Sequence, residues 1–187
     1  MTNTLSINID PKSVRTDEDI KKAVDLWCSD PTTAEEKYGH ISRWDTSRVT
    51  NMNDLFRERD KFNEDISGWN VSNVKSMRRM FFGAKSFNKP ICSWDVSKVE
   101  NMNNMFSWAE DFNQPISSWN VSKVTNMNSM FDKATDFNQP IGCWDTSMVT
   151  NMEDMFYRAT AFNQPIDSWE VSNVTSMRNM FHWSYSL

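Results

Sequence analysis

Trp44, Trp69, Trp94, Trp119, Trp144 and Trp169 stand 25 residues apart with no insertion between them, and the other strongly apolar columns of the chain keep the same period. Such a period constrains the fold more than composition does. One unit of this length cannot bury its own apolar face and must stack on its neighbours. Six units fill residues 41–187. Each opens with Ile (Ile41, Ile66, Ile91, Ile116, Ile141, Ile166), reaches the Trp, and continues through Asp, Asn or Glu, then Val or Thr, then Ser. Val49, Met52, Leu55 (Met in the later units) and Phe56 head the next apolar columns. The unit closes on Phe-Asn at 62–63, 87–88, 112–113, 137–138 and 162–163, in most copies followed by Gln-Pro or Lys-Pro.

Within a unit, the Trp-Asp-Val segment alternates as a short strand does, which predicts a β edge. Ser47 and its equivalents occupy the place of a helix N-cap. Val, Met, Met-Phe and Ala then follow at spacings of three to four, which predicts a short helix, α or 3-10. Pro90, Pro115, Pro140 and Pro165 stop it, because proline lacks an amide donor. Stacked coils rise about 4.8 Å each along a strand edge. The expected fold class is therefore a repeat solenoid with one strand and one helical segment per coil.

The Trp, Met, Phe, Ile and Val columns read as ladders of core residues, with Met filling irregular gaps. The Asn of Phe-Asn is expected to satisfy backbone groups between coils. The repeated Ser reads as a cap rather than a nucleophile, since six copies without a partnering His make no catalytic sense.

The remaining sequence excludes several classes. The chain carries 20 basic against 25 acidic residues, a net charge of −5, so no global positive field is available to hold a nucleic-acid backbone. Cys28, Cys92 and Cys143 are odd in number and share no CxxC spacing, which points to neither a disulfide framework nor a zinc site. No P-loop, GxGxxG, HExxH or GxSxG is present. His40 and His182 lie near opposite ends, so no His-based triad or His-rich metal site is expected, and the chain reads as a non-enzyme without catalytic residues, cofactor or metal. The opening MTNTLSINIDPKSV shows no basic flank before an apolar run, and no membrane-spanning stretch follows. A cytoplasmic protein without membrane insertion is the expectation from these residues.

Units such as FNQPISSWNVSKVTNMNSMF and FNQPIGCWDTSMVTNMEDMF resemble the BspA-like leucine-rich-repeat surface proteins, including the 25-residue variant of mycoplasmal lipoproteins and of protist and large-virus relatives. The Phe-Asn-Gln-Pro-Ile, Trp-Asp-Val-Ser and Met-Phe elements recur in order and in phase over most of the chain. The resemblance implies a right-handed leucine-rich-repeat-like α/β solenoid that acts as a binding or adhesion scaffold, often at a cell surface. The chain departs from it in showing no leader or lipoprotein cysteine, which bears on localisation.

Residues 1–40 lie outside the repeat. TDEDIKKAVDLWCSD describes an amphipathic helix with Thr16 as N-cap, and Pro31 opens a second helix that ends at Gly39, together a helical cap on the first coil. After Leu187 no polar capping segment follows in the sequence, so either the chain was cut there, or Trp183 and Tyr185 close that end, or another chain does.

In a repeat, positions that vary among constant columns are free to contact a partner. One column reads Arg57, Phe82, Ser107, Asp132, Tyr157, His182, and its neighbour reads Glu58, Gly83, Trp108, Lys133, Arg158, Trp183. Aromatic residues and Arg dominate binding hot spots, so Phe82, Trp108, Tyr157, Arg158, His182 and Trp183 are the candidate partner-binding residues. Lys75, Arg78, Arg79, Lys85 and Lys89 fall in one unit without an acid among them and form a candidate anion patch. The expected function is a scaffold binding a protein, or a glycan. End-to-end self-association through the carboxy-terminal coil is one alternative. Binding of ice or another periodic surface is a second, on the row Thr50, Lys75, Glu100, Thr125, Thr150, Thr175, which two charges interrupt.

Overall fold

The chain leaves its irregular start through two short helices and then repeats one backbone path to the end of the described residues, 11–184, in the computed structural model. Residues 1–10 and 185–187, Tyr185 among them, lie outside them. A 3-10 turn at Pro11–Ser13 leads into β1, Val14–Thr16, which pairs in parallel with β2, Asp45–Arg48. Between them run α1, Ile20–Ser29, and α2, Pro31–Tyr38. α1 buries Ile20, Ala23, Val24 and Trp27, the one-sided spacing its sequence shows. α2 starts with Pro31 behind Asp30, whose carboxylate accepts the Thr33 amide, and ends at Gly39 with φ of 74°.

Thr16 does not cap α1. The helix begins at Ile20 behind Asp19, because Asp17 is turned toward the first coil. Its carboxylate accepts the Thr50 amide at 2.7 Å, the Thr50 hydroxyl at 2.6 Å and the Asn51 amide at 3.1 Å. In every later coil the corresponding amide donates to a carbonyl of the coil before it: Lys75 to Thr50, Glu100 to Lys75, Thr125 to Glu100. Asp17 thus supplies the acceptor that a preceding coil would have supplied. Around it the two helices close the first coil: Trp27 meets Trp44 edge-on at 6.2 Å, and Arg59 pairs with Asp25 at 2.6 Å. The buried Arg15 pairs with Asp19 at 3.0 Å and lies over the Tyr38 ring at 4.4 Å.

The coils differ from the expected one strand and one helix each. Among the described residues no helix follows Ile41–Arg43, a 3-10 turn, and no strand follows β2. In the first coil the expected strand is β2, but in the later coils the side chain after Trp accepts the amide two residues on (Ser72 to Asn70, Ser97 to Asp95, Ser122 to Asn120) at a turn of the chain. The repeated Ser is therefore the closing residue of a turn and caps no helix. The β character sits later in the coil, in single parallel bridges that run Asn51, Ser76, Asn101, Asn126, Asn151, Ser176.

The helix fails for a related reason. From Met77 onward alternate amides leave the coil: Met77, Arg79, Phe81 and Gly83 donate to Asn101, Asn103, Met105 and Ser107 of the next coil. Only the amides between them, Met80, Phe82 and Ala84, donate within the coil, each to the carbonyl three residues back. A helix needs consecutive amides, so none propagates. Two residues per coil are left-handed, one in the column Asp54, Arg79, Asn104, Ser129, Asp154, Asn179 and one in the column Glu58, Gly83, Trp108, Lys133, Arg158, Trp183. Left-handed residues break a right-handed helix at each of those points.

The core is a set of ladders. Phe56, Phe81, Phe106, Phe131, Phe156 and Phe181 stack with ring centroids 5.3–5.7 Å apart. The Phe of Phe-Asn stacks beside them, 3.9–4.0 Å away within each coil. From Trp69 on, the indole N–H of each repeat Trp reaches back to a carbonyl of the coil before (Trp69 to Ile41 at 2.8 Å, Trp119 to Ile91 at 3.1 Å, Trp169 to Ile141 at 3.0 Å), while Trp44 donates to Gly39 of the cap at 2.8 Å. That bond accounts for Trp where another apolar residue would also fill the space. The Asn of Phe-Asn behaves as its sequence suggests, each side-chain oxygen accepting the next Asn amide at 2.9–3.1 Å. Burial comes from the following coil: Met152 is fully buried, whereas Met177, in the last coil, is 42% exposed.

Asp17 yields a direct test. Burial raises its pKa, but the bonds from the Thr50 hydroxyl and the Thr50 and Asn51 amides outweigh burial and leave it below the ordinary carboxylate value. A depressed carboxylate contributes stability above the unfolded pKa, near 4, and loses it as pH falls through the folded value. Asp17→Ala is expected to cost about 1 kcal/mol at pH 7, the scale of a lost helix cap at an exposed site. In thermal melts the difference from wild type should shrink steadily below about pH 4. A gap that persists at low pH contradicts this role.

Candidate functional site

Each residue of the column Glu58, Gly83, Trp108, Lys133, Arg158, Trp183 takes φ between 55° and 68°. From Glu58 to Arg158 its amide is committed to the next coil, as Trp108 to Asp132 at 2.7 Å and Lys133 to Tyr157 at 2.7 Å, which fixes the backbone and leaves only the side chain to vary. Glycine fits this conformation without steric cost, and Asn or Asp tolerates it; Trp, Lys and Arg do not favour it. Gly83 shows what the backbone prefers, and five coils place larger side chains there instead. The column from Asp54 to Asn179 carries the same strain, so positive φ belongs to every coil and is held by the coils around it.

These side chains frame two adjoining grooves. One, about 500 Å3, is lined by Trp108, Lys133, Arg158 and Trp183 from the left-handed column, with Glu110, Thr135 and Thr160 two positions further along each coil. The other, about 550 Å3, opens where Gly83 lacks a side chain, between Phe82, Lys85, Trp108, Glu58 and Asp60. Trp108 is 37% and Trp183 47% exposed, among the few large apolar side chains open to solvent. The Lys133 ammonium lies 3.6 Å from the centre of the Trp108 ring.

Of the candidate residues, Trp108, Arg158 and Trp183 come together in one groove and Phe82 lines the other. Tyr157 and His182 line neither. Tyr157 is half-buried, stacked on His182 at 5.6 Å with the Arg158 guanidinium over it at 5.3 Å. Lys133, Thr135 and Thr160 complete the groove and were not singled out by sequence. Their signal was present in the variable columns, but which column neighbours which depends on the turns.

Behind the groove lies Asp132. Its Oδ2 accepts the Ser107 hydroxyl at 3.1 Å, while Oδ1 is buried without a partner. Burial pushes its pKa up, against the lowering effect of Lys133, the Ser107 hydroxyl and Arg158. The basic residues of the second repeat are dispersed. Arg79 pairs with Asp54 at 3.0 Å and Lys85 with Glu110 at 2.9 Å, while Lys75 and Arg78 are exposed beside the bridge row and Lys89 faces Asp65. Two of the five charges are thus engaged by acids of adjacent coils.

Among the described residues, no three His, Cys, Asp or Glu side chains gather as a metal site requires, and no helix is long and apolar enough to cross a membrane. A protein-family model described as "Mycoplasma protein of unknown function, DUF285" matches residues 30–127 and again residues 91–187, the two overlapping matches following the repeat. No curated protein and no solved structure matches the chain.

The left-handed column makes a prediction about strain. Trp108→Gly removes a large side chain from a conformation that glycine adopts freely, an effect of about 1 kcal/mol offset in part by the greater freedom of glycine in the unfolded chain. The variant should melt at the wild-type temperature or slightly above it. A fall of several degrees would show that Trp108 is a packing residue.

Proposed function

This chain belongs to the DUF285 family, whose description is Mycoplasma protein of unknown function, and we propose that it is a non-catalytic interaction scaffold that recognises a protein or glycan partner through the grooves of its left-handed column. The observation that carries this reading is the exposure of Trp108, in the middle of the stack and at positive φ, in a column where Gly83 marks the relaxed choice. Aromatic side chains flanked by Lys and Arg are the types on which binding energy concentrates. A stack of identical coils offers a rigid platform for them, since the partner meets side chains whose backbone is already fixed.

We read the coil stack as a leucine-rich-repeat-type solenoid, in keeping with the BspA-like resemblance, and its role as adhesion-like at a cell surface. Support for this comes from the inward Ile, Trp, Val, Met and Phe ladders and the constant coil length. A self-associating role finds some support in the last coil, where Val171 and Met177 are exposed although their equivalents are buried. The helical cap covers the opposite end, so such contacts would be tail to tail rather than head to tail. Less supports a surface-matching threonine row. The hydroxyls of Thr125, Thr150 and Thr175 donate along the stack to Glu100, Thr125 and Thr150 carbonyls, and Lys75 and Glu100 interrupt the row.

Arrays of immobilised peptides and glycans, probed with wild type and with Trp108→Ala/Trp183→Ala, test the scaffold reading. Any probe retained by wild type should be weakened by about tenfold or more in the variant, an effect of hot-spot size. Melting temperatures of the two proteins should agree within a few degrees. Equal binding by both proteins removes this face from the function.

A further inference from the structure

Among the described residues five buried side-chain atoms lack a hydrogen bond, and four of them belong to ion pairs: two nitrogens of Arg15, which pairs with Asp19, and the facing Asp54 Oδ1 and Arg79 Nε. The fifth, Asp132 Oδ1, has neither a hydrogen bond nor an ion pair. A buried carboxylate oxygen without a partner is costly. Nor does the fold require an acid here, since Phe82 and Tyr157 fill the same column position, half-buried, on other coils. What the acid does is set by the groups that face it. Lys133 on its own coil and Arg158 on the next are positive, Asp154 on the next is negative, and on the coil before it the Ser107 hydroxyl donates to Oδ2 at 3.1 Å.

The Trp108 amide donates to the Asp132 carbonyl at 2.7 Å, which ties the acid to the coil that carries the indole. The neighbouring residue, Lys133, sets its ammonium 3.6 Å from the centre of the Trp108 ring, so one face of this exposed indole is already taken. Building on the scaffold reading, we infer that Lys133 is a cover on the Trp108 face, held there by ionised Asp132 and released when Asp132 takes up a proton. A partner that needs the indole must displace Lys133 in the first state and meets an open ring in the second.

An exposed contact between an ammonium and a ring is worth little more than the rotamer freedom a lysine chain gives up to make it. The carboxylate supplies the further attraction, in a partly buried place where solvent and salt screen it weakly. Burial holds the Asp132 pKa above the ordinary carboxylate value, against Lys133, the Ser107 bond and Arg158, while Asp154 pushes it further up. The proton is therefore taken up in mildly acid solution, before carboxylates of ordinary value titrate. For stability the sign is opposite to that of Asp17. The folded chain binds this proton more readily than the unfolded one, so ionising Asp132 costs stability that returns as pH falls through its folded pKa.

The test is nuclear magnetic resonance of the full chain, reading the side-chain protons of Lys133, which the Trp108 ring shields while the cover is closed. In wild type these protons should lie upfield at pH 7 and move to the positions of a free lysine as pH falls, in one step with its midpoint above the ordinary carboxylate value of about 4. Asp132→Asn, similar in shape and uncharged, should show the free positions already at pH 7 and no step, and should melt at or above the wild-type temperature there. Asp154→Asn removes a like charge and should lower the midpoint, whereas Ser107→Ala removes a bond to the ionised form and should raise it. Lys133 protons that stay shielded in Asp132→Asn, or that are unshielded in wild type at pH 7, overturn the inference. If Asp132→Asn does not fold, the opposite shifts in the other two variants decide, and a midpoint that neither moves overturns it. The array comparison of wild type with the tryptophan variant decides the scaffold reading separately, so each can fail alone.

Discussion

Every feature of this molecule depends on how the amides of one segment are shared. Along residues 77–84 and their equivalents, alternate amides bond within the coil and alternate amides bond to the coil above. The first set folds the segment into successive tight turns, and the second locks it in register with its neighbour. Neither set is sufficient alone. A coil without the outward bonds is a chain of short turns with little to hold it, and a ladder without the inward bonds has no fixed shape to repeat. An inserted residue would displace each later amide from its acceptor, which is the physical reason the period of 25 admits no exception.

The same sharing divides labour among side chains. Residues pointing inward meet their own copies above and below, so Phe stacks on Phe and, from Trp69 on, each repeat Trp N–H finds an Ile carbonyl in the same relation. Such positions have no freedom to differ. Residues at the second left-handed position point outward from a backbone whose bonds are already complete, and there the chain carries Glu, Gly, Trp, Lys, Arg and Trp in turn. Strain from positive φ is tolerated because the coils on either side determine the backbone more strongly than the side chain does. The variable face and the stack beneath it are thus separate in their energetics although adjacent in sequence.

Much of this was legible in the residues. The inward ladders and the role of the Phe-Asn amide follow from periodicity and from what an amide side chain can bond. The elements within a coil did not follow. Spacings of three to four at Val74, Met77, Met80, Phe81 and Ala84 describe a helix face equally well as they describe a run of turns, and only the left-handed residues at Arg79 and Gly83 separate the two. Gly83 signals this, whereas Arg79, Trp108 and Lys133 conceal it. Asp17 was read as part of a helix start for a similar reason: its partners, Thr50 and Asn51, are distant in sequence and become neighbours only when the cap docks. In the groove, Trp108, Arg158 and Trp183 stood out by type, while Lys133 and Thr135 acquire meaning only from the residues they face.

Amide hydrogen exchange resolved to single residues tests the shared ladder most directly. In the middle coils the amides of Phe81, Phe106 and Phe131 bond across coils, and those of Met80, Met105 and Met130 bond within them. If the stack is one cooperative ladder, both kinds open together and exchange slowly at a common free energy. Rapid exchange of the Phe amides beside lasting protection of the Met amides would contradict the account, since each coil would then hold its own shape and owe nothing to its neighbours.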